Sequence, residues 1–264
     1  MRKYFGLLAL ACASLLTACS DISTEDRLVA VDAVQAQHNV LIEDFTGQSC
    51  VNCPKATEVI DTILKHYGED HVIPVSIHSG PFSKNTKKTR TWPLWTATGD
   101  VYYDAFKISA QPTGYIGRKA LSSNVADWEA TVREQLQQKP QVDISLSLTL
   151  DEANAELTAT TALKTLGDNA VQGKLQLWIV EDSIVSFQYM PDGKPMEKDY
   201  LHNHVFRAAV NGDWGEEVDI VKGRPTTVLS RQKLDSSWEP RHLSVVAFVY
   251  NDQGVLDVIK KHVE

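Results

Sequence analysis

Two cysteines placed where a strand hands over to a helix constrain this chain more than any other feature. The stretch Glu43-Asp44-Phe45-Thr46-Gly47-Gln48-Ser49-Cys50-Val51-Asn52-Cys53-Pro54 follows the apolar run Val40-Leu41-Ile42. It leads into Ala56, Val59, Ile60, Ile63 and Leu64, which recur at the three- and four-residue steps of one helical face. The pattern predicts a buried strand, a turn carrying Cys50, and a helix that opens near Cys53. Unpaired N–H groups and the dipole at a helix N-terminus favour a thiolate at Cys50. Cys53, one turn in, falls within disulfide reach and is expected to be the more buried of the two. A C-x-x-C alone is ambiguous; between a strand and a helix it reads as a redox dithiol.

The chain after the dithiol extends this reading. Pro54 suits a first helical turn, where a missing N–H costs little. The helix is expected to run to His66 or Tyr67, with Gly68 as its cap. His71 to His78 reads as the next strand, with Pro74 marking an irregular or edge position. Ser79 to Ala97 has no clear period. It holds a basic cluster (Lys84, Lys87, Lys88, Arg90) and the tryptophans Trp92 and Trp95, and reads either as a lid or partner surface beside the dithiol or as an anchored insertion. Thr98 is the expected cap of a helix through Val101, Ala105, Phe106 and Ile108. Next come Ala110-Gln111-Pro112-Thr113-Gly114-Tyr115-Ile116-Gly117, a return strand to Ser122, and a helix capped by Asn124 that carries Val125, Trp128, Val132 and Leu136 and stops before Pro140.

This order of elements resembles a thioredoxin-like α/β domain over residues 38–139. The resemblance implies that Pro112 is cis and packs against the disulfide. It also implies that Asp44, six residues before Cys50, is the buried carboxylate that aids proton transfer to Cys53. Strand alternation sends Glu43 and Asp44 to opposite faces, so only one can serve, and the spacing favours Asp44. The match to thioredoxin itself is partial: Ser49 stands where an aromatic usually precedes the first cysteine, and Val51-Asn52 separates the pair.

The N-terminus bounds the compartment. Arg2 and Lys3 precede an apolar stretch, Tyr4 to Ala18, that is too short to span a bilayer and reads as an export signal. It ends in Leu16-Thr17-Ala18-Cys19, which resembles a bacterial lipobox. That implies cleavage after residue 18 and a lipid on Cys19, followed by a polar tether over residues 19–37. Loss of Arg2 and Lys3 leaves 24 basic residues against 34 acidic ones, a net charge of -10. This balance argues against nucleic acid as a partner. Cys12 leaves with the signal and Cys19 carries lipid, so only Cys50 and Cys53 remain as thiols. A bridge over two intervening residues closes too small a loop to stabilise much by chain entropy, so redox use is the better reading than a static bridge.

From Gln141 the texture changes. Val142 to Leu150 alternates strictly, the mark of a half-buried strand. Leu157–Leu163, Lys174–Val180, Ile184–Tyr189, Val205–Val210, Thr226–Ser230, Leu243–Tyr250 and Val255–Val263 follow, with Asn251-Asp252-Gln253-Gly254 as a hairpin turn. Residues 140–264 are therefore expected to form an all-β, sandwich-like domain. His202 and His204 have metal-like spacing on one strand face, but no third ligand is evident. Cys50 and Cys53 with His78 is a weaker copper-chaperone reading. A peroxidase reading is also weak, because Thr46 stands four residues before Cys50 rather than three. No cofactor or metal is called for.

The dithiol stretch Val40 to Pro54, together with Leu201-His202-Asn203-His204-Val205-Phe206-Arg207-Ala208-Ala209-Val210-Asn211-Gly212 and Trp214-Gly215-Glu216, resembles the twenty-eight-kilodalton outer-membrane protein family of bacterial lipoproteins. The resemblance implies outer-membrane anchoring through a lipid. It leaves two readings of function. One is thiol–disulfide exchange with exported proteins through Cys50, Cys53, Asp44 and Pro112. The other is a surface adhesin, receptor or binding lipoprotein that uses the first domain as a scaffold.

Overall fold

The computed structural model describes residues 36–84 and 94–264. The signal peptide, the lipobox with Cys19, most of the tether, and Lys87, Lys88, Arg90 and Trp92 lie outside the described residues.

Strand β1 (Val40–Thr46) is buried along its whole length. It leads through the cysteine turn into helix α1 (Cys53–Tyr67), which ends at Gly68 in a left-handed conformation. Strand β2 (Val72–His78) lies parallel to β1. Helix α2 (Ala97–Ala105) starts two residues earlier than the sequence suggests: Thr96, not Thr98, is the cap, and its hydroxyl accepts from the Gly99 N–H. Thr98 instead donates to Asp213. Strand β3 (Thr113–Ile116) runs antiparallel to β1, with β4 (Ala120–Ser122) outside it. Asn124 accepts from the Ala126 N–H at a short 3-10 turn, and helix α3 (Trp128–Leu136) follows.

The second half is all strand: β5 (Val142–Asp151), β6 (Glu156–Thr165), β7 (Val171–Glu181), β8 (Ile184–Gln188), β9 (Glu197–His202), β10 (Val205–Ala209), β11 (Glu216–Ile220), β12 (Thr226–Lys233), β13 (Leu243–Asn251) and β14 (Gly254–His262). The protein is thus mostly β-sheet, with three α-helices among the described residues.

The main sheet has the order β14-β13-β7-β10-β2-β1-β3-β4, with β11 also pairing to β7. The expected boundary at residues 139/140 divides the chain but not this sheet. Strand β10 adds to β2 through the pair Val205 and Ser76, where the Ser76 N–H donates to the His204 carbonyl at 2.8 Å. Pro74 lies two residues earlier on β2, so its nitrogen faces the same side, beyond the end of that pairing. This places the proline where no donor is needed.

Three apolar layers hold the sheet. Val40 and Ile42 pack with Ile60, Ile63, Trp128 and Val132 beneath α1 and α3. The alternate residues Leu41 and Phe45 join Tyr102, Trp178, Phe206 and Phe248 on the other face. Sheet β12-β6-β5 packs onto β7 and β13 through Leu146, Leu157, Leu163, Leu177 and Val245, so the C-terminal half is layered sheet on sheet. Each such fully buried side chain contributes about 1.5–3 kcal/mol relative to exposure. Strand β7 is buried on both faces, with Leu177 and Ile179 in one layer and Trp178 and Val180 in another.

Candidate functional site

The carboxyl end of β1 is a point of convergence. The Thr46 carbonyl accepts from the Ser79 N–H, the Ser83 hydroxyl and the Gln111 side chain. Gln111 also reaches the Ser79 carbonyl, and the Gln111–Pro112 peptide is cis. Phe45 pairs with Thr113, so Pro112 sits at the same end of the sheet as the cysteine turn. Close approach requires glycine at position 47: a Cβ there would lie 2.7 Å from the Phe82 backbone.

Cys50 and Cys53 form a disulfide with Cα atoms 5.4 Å apart. Cys53 is the first residue of α1, and its N–H donates to the Cys50 carbonyl. The two cysteines are 3% and 2% exposed, so Cys50 is as buried as Cys53 rather than the more open of the pair. The turn is also bonded by residues of β8, far along the chain, which the sequence does not signal. Gln188 donates to the Cys50 carbonyl at 2.9 Å and to the Gly47 carbonyl at 3.2 Å. Gln48 donates in return to the Ser186 hydroxyl and the Phe187 carbonyl, and the Tyr189 N–H donates to the Gln48 carbonyl.

Behind the disulfide lies a cavity of about 320 Å³, lined by Cys53, Asp44, His78, Gln188, Tyr200 and His202 among others. Asp44 is 1% exposed and its Oδ1 has no protein partner. Burial raises its pKa to about 7. Glu43 points to the opposite face, where Arg118 holds it in a bidentate pair with contacts of 3.0 to 3.3 Å. Burial raises the Glu43 pKa, and the Arg118 charge opposes that rise. Arg118 is itself caged by aromatic rings, Tyr250 at 4.3 Å and Phe248 at 5.0 Å from its guanidinium carbon.

The histidines divide in a way the sequence did not convey. His78 and His202, 124 positions apart, place their rings 5.3 Å apart at the cavity wall. Burial lowers the pKa of His202 to about 4 and that of His78 well below its ordinary value. His204 does not share a strand face with His202. It lies past the end of β9 in a left-handed conformation and pairs with Asp182 at 3.1 Å. Among the described residues, no group of three or more His, Cys, Asp or Glu side chains is arranged to hold a metal ion.

Fold and site together define a mostly β protein with a buried two-cysteine bridge at the carboxyl end of a central strand. The family model for outer membrane protein Omp28 matches residues 99–264, and the chain belongs to the Omp28 family. The match takes in Pro112, Gln188 and His202 but not Asp44, Cys50 or Cys53. No curated protein matches the chain. Among solved structures, HBP35 of Porphyromonas gingivalis is 20% identical over 87% of this chain and 76% of its own, with a TM-score of 0.64. A structural-genomics crystal structure from Agrobacterium tumefaciens is 13% identical over 87% of this chain and 96% of its own, with a TM-score of 0.53. Both are similar in fold. A domain of the outer membrane lipoprotein Omp28 from Porphyromonas gingivalis is 25% identical over 47% of this chain and 89% of that domain, with a TM-score of 0.36. Among the described residues, no helix is long and apolar enough to cross a membrane.

Proposed function

We propose that this chain is an envelope lipoprotein, held at the outer membrane by lipid on Cys19, whose first half is a thioredoxin-like unit that exchanges disulfides with exported proteins. One observation carries the reading. The Cys50–Cys53 bridge opens α1 against a cavity that also holds the unpartnered carboxyl of Asp44.

In the reduced form, the Cys50 thiolate attacks a client disulfide. A bond forms between Cys50 and one client sulfur, and the other client sulfur leaves as a thiolate and takes up a proton. Cys53 then gives its proton to Asp44 and attacks Cys50. The mixed disulfide breaks, the Cys50–Cys53 bond forms, and the second client sulfur leaves as a thiolate that is protonated in turn. Two electrons pass to the client, and a partner dithiol restores the reduced form. Run backwards, the same steps oxidise a client dithiol. A base with a pKa near neutrality suits the proton transfer, and burial supplies that value at Asp44.

The test is disulfide exchange with a peptide substrate. Cys50→Ser is expected to abolish turnover, and Cys53→Ser to accumulate a mixed disulfide with Cys50. Full turnover by the Cys50→Ser variant overturns the reading.

Burial of both cysteines favours a second reading, a binding lipoprotein or surface adhesin in which the bridge is structural. Its expected result is unchanged partner binding when both cysteines become serine.

A further inference from the structure

The cysteine turn is held from both sides by glutamines. Gln48, 1% exposed, reaches from the turn to β8, and Gln188, 3% exposed, reaches from β8 to the turn. The residues are 140 positions apart, and their side chains and the Tyr189 N–H together make five hydrogen bonds between the turn and the β8 segment. Strands β8 and β9 form a two-stranded sheet of their own, paired to no strand of the main sheet. Its inner side supplies Gln188, Tyr200 and His202 to the cavity behind Cys53. Its outer side exposes the cross-strand pair Val185 and Leu201, 56% and 50% exposed. An exposed ion pair, Lys55 with Asp192 at 3.2 Å, ties the turn after β8 to α1.

A sulfur that exchanges with a client must be reached along the S–S axis by an attacking thiolate. With both cysteines almost fully buried, reduction of this bridge requires something to move. Elements with few ladder bonds open at lower free energy than a central strand. The hairpin is held to the turn by four side-chain hydrogen bonds and one backbone bond, whereas β1 is paired to β2 along its whole length and to β3 over Ile42–Phe45.

Building on the exchange reading, we propose that hairpin β8–β9 is the access element of the redox site and that Gln188 is its positioning residue. Gln188 holds the Cys50 carbonyl and closes the hairpin over the bridge; a client reaches Cys50 when the Gln188 bonds release. Selection among clients then falls to the C-terminal half of the chain, which carries the hairpin.

The experiment follows reduction of the oxidised mature protein by dithiothreitol. The reagent loses two electrons and two protons as it cyclises to its disulfide; the Cys50–Cys53 bond breaks and each sulfur gains a hydrogen. Samples are trapped with a maleimide mass tag and weighed. Gln188→Ala is expected to raise the rate roughly tenfold, the effect of losing one or two net hydrogen bonds from the closed state. Gln188→Glu keeps the shape but cannot donate when ionised, so at pH 7.5 its rate is expected to approach that of Gln188→Ala. As the pH falls through the carboxyl range, the introduced group gains a proton and can donate again, and the ratio of the two variants' rates is expected to drop. Asp44, Asp61, His78, Tyr200, His202 and His204 line the same cavity and are common to both variants, so the ratio isolates position 188.

Amide exchange on the wild-type protein supplies a readout that needs no variant. The Tyr189 N–H is expected to exchange well ahead of the amides of β1. Equal reduction rates for wild type and both variants, or Tyr189 protection equal to that of β1, overturn the proposal. Neither result touches the exchange reading, which falls only if the Cys50→Ser variant turns over client.

Discussion

Asp44 and Cys53, on different elements, are themselves buried and line one cavity, and the Asp44 Oδ1 has no protein partner. A carboxyl so placed holds its proton far more tightly in the folded chain than in the unfolded one. Its pKa rises from 3.8 to about 7. Between those values the folded state binds the extra proton, so this group's contribution to stability is present below pH 4 and is lost as the pH climbs through 7. Asp44→Asn is therefore expected to stabilise the protein at pH 8, by about 2–4 kcal/mol, and to flatten the fall in stability between pH 4 and 7. Urea unfolding at four pH values checks this. The same change is expected to slow resolution of the mixed disulfide by roughly a hundredfold and to remove an apparent pKa near neutrality from that step.

On the opposite face, Glu43 and Arg118 are a buried pair whose side chains are 0% and 5% exposed. Removing one partner leaves the other charge buried and alone. Glu43→Gln or Arg118→Met is expected to cost about 3–5 kcal/mol, and the double variant much less than the sum. Urea midpoints of the three variants give the coupling directly. The redox potential of the bridge is expected to stay unchanged in any variant that folds.

Asp182 follows β7 and His204 precedes β10, so their pair fastens the ends of those two neighbouring strands. Burial pushes the Asp182 carboxyl up, but the His204 side-chain bond, the His204 charge and the His204 N–H outweigh it and lower the pKa to about 2. The group's stabilisation is present above the unfolded value of 3.8 and is lost as the pH falls through about 2. Asp182→Asn is expected to lose about 1–2 kcal/mol at pH 7 and little at pH 2. Thermal melts at the two pH values check it.

A Cβ at position 47 would lie 2.7 Å from the Phe82 backbone. Gly47→Ala is expected to displace residues 80–84, weaken the bond from the Ser49 N–H to the Phe82 carbonyl, and destabilise by about 1–3 kcal/mol. A fall in melting temperature, with faster exchange of the Ser49 amide, is the outcome to look for.

The parts legible in the sequence are the local ones. The apolar run before Glu43 and the period from Ala56 to Leu64 give β1 and α1 because each pattern is completed within a few residues. Strict alternation locates β5 for the same reason. Strands β9 (Glu197–His202) and β11 (Glu216–Ile220) are not legible in the sequence because they are polar and largely exposed, and so show no apolar run. The pairing of β10 with β2 joins residues 129 positions apart and leaves no local trace. The site divides likewise. The dithiol and the acids before it can be read from spacing, whereas the bond from Gln188 to the Cys50 carbonyl and the meeting of His78 with His202 depend on tertiary contacts. His202 and His204 look like a matched pair in sequence, yet the chain turns between them and sends the two rings to different partners.

Disulfide exchange requires the Cys50–Cys53 bridge to be a working redox couple. Its reduction potential tests this most directly, by equilibrating the mature protein in graded dithiol buffers, trapping with an alkylating mass tag and weighing. A reversible two-electron transition well above about -300 mV is expected, the range of labile and catalytic bridges. A bridge that resists reduction until below that value, or thiols that never pair, would sink the exchange reading and leave the two cysteines a structural feature of an Omp28-family protein.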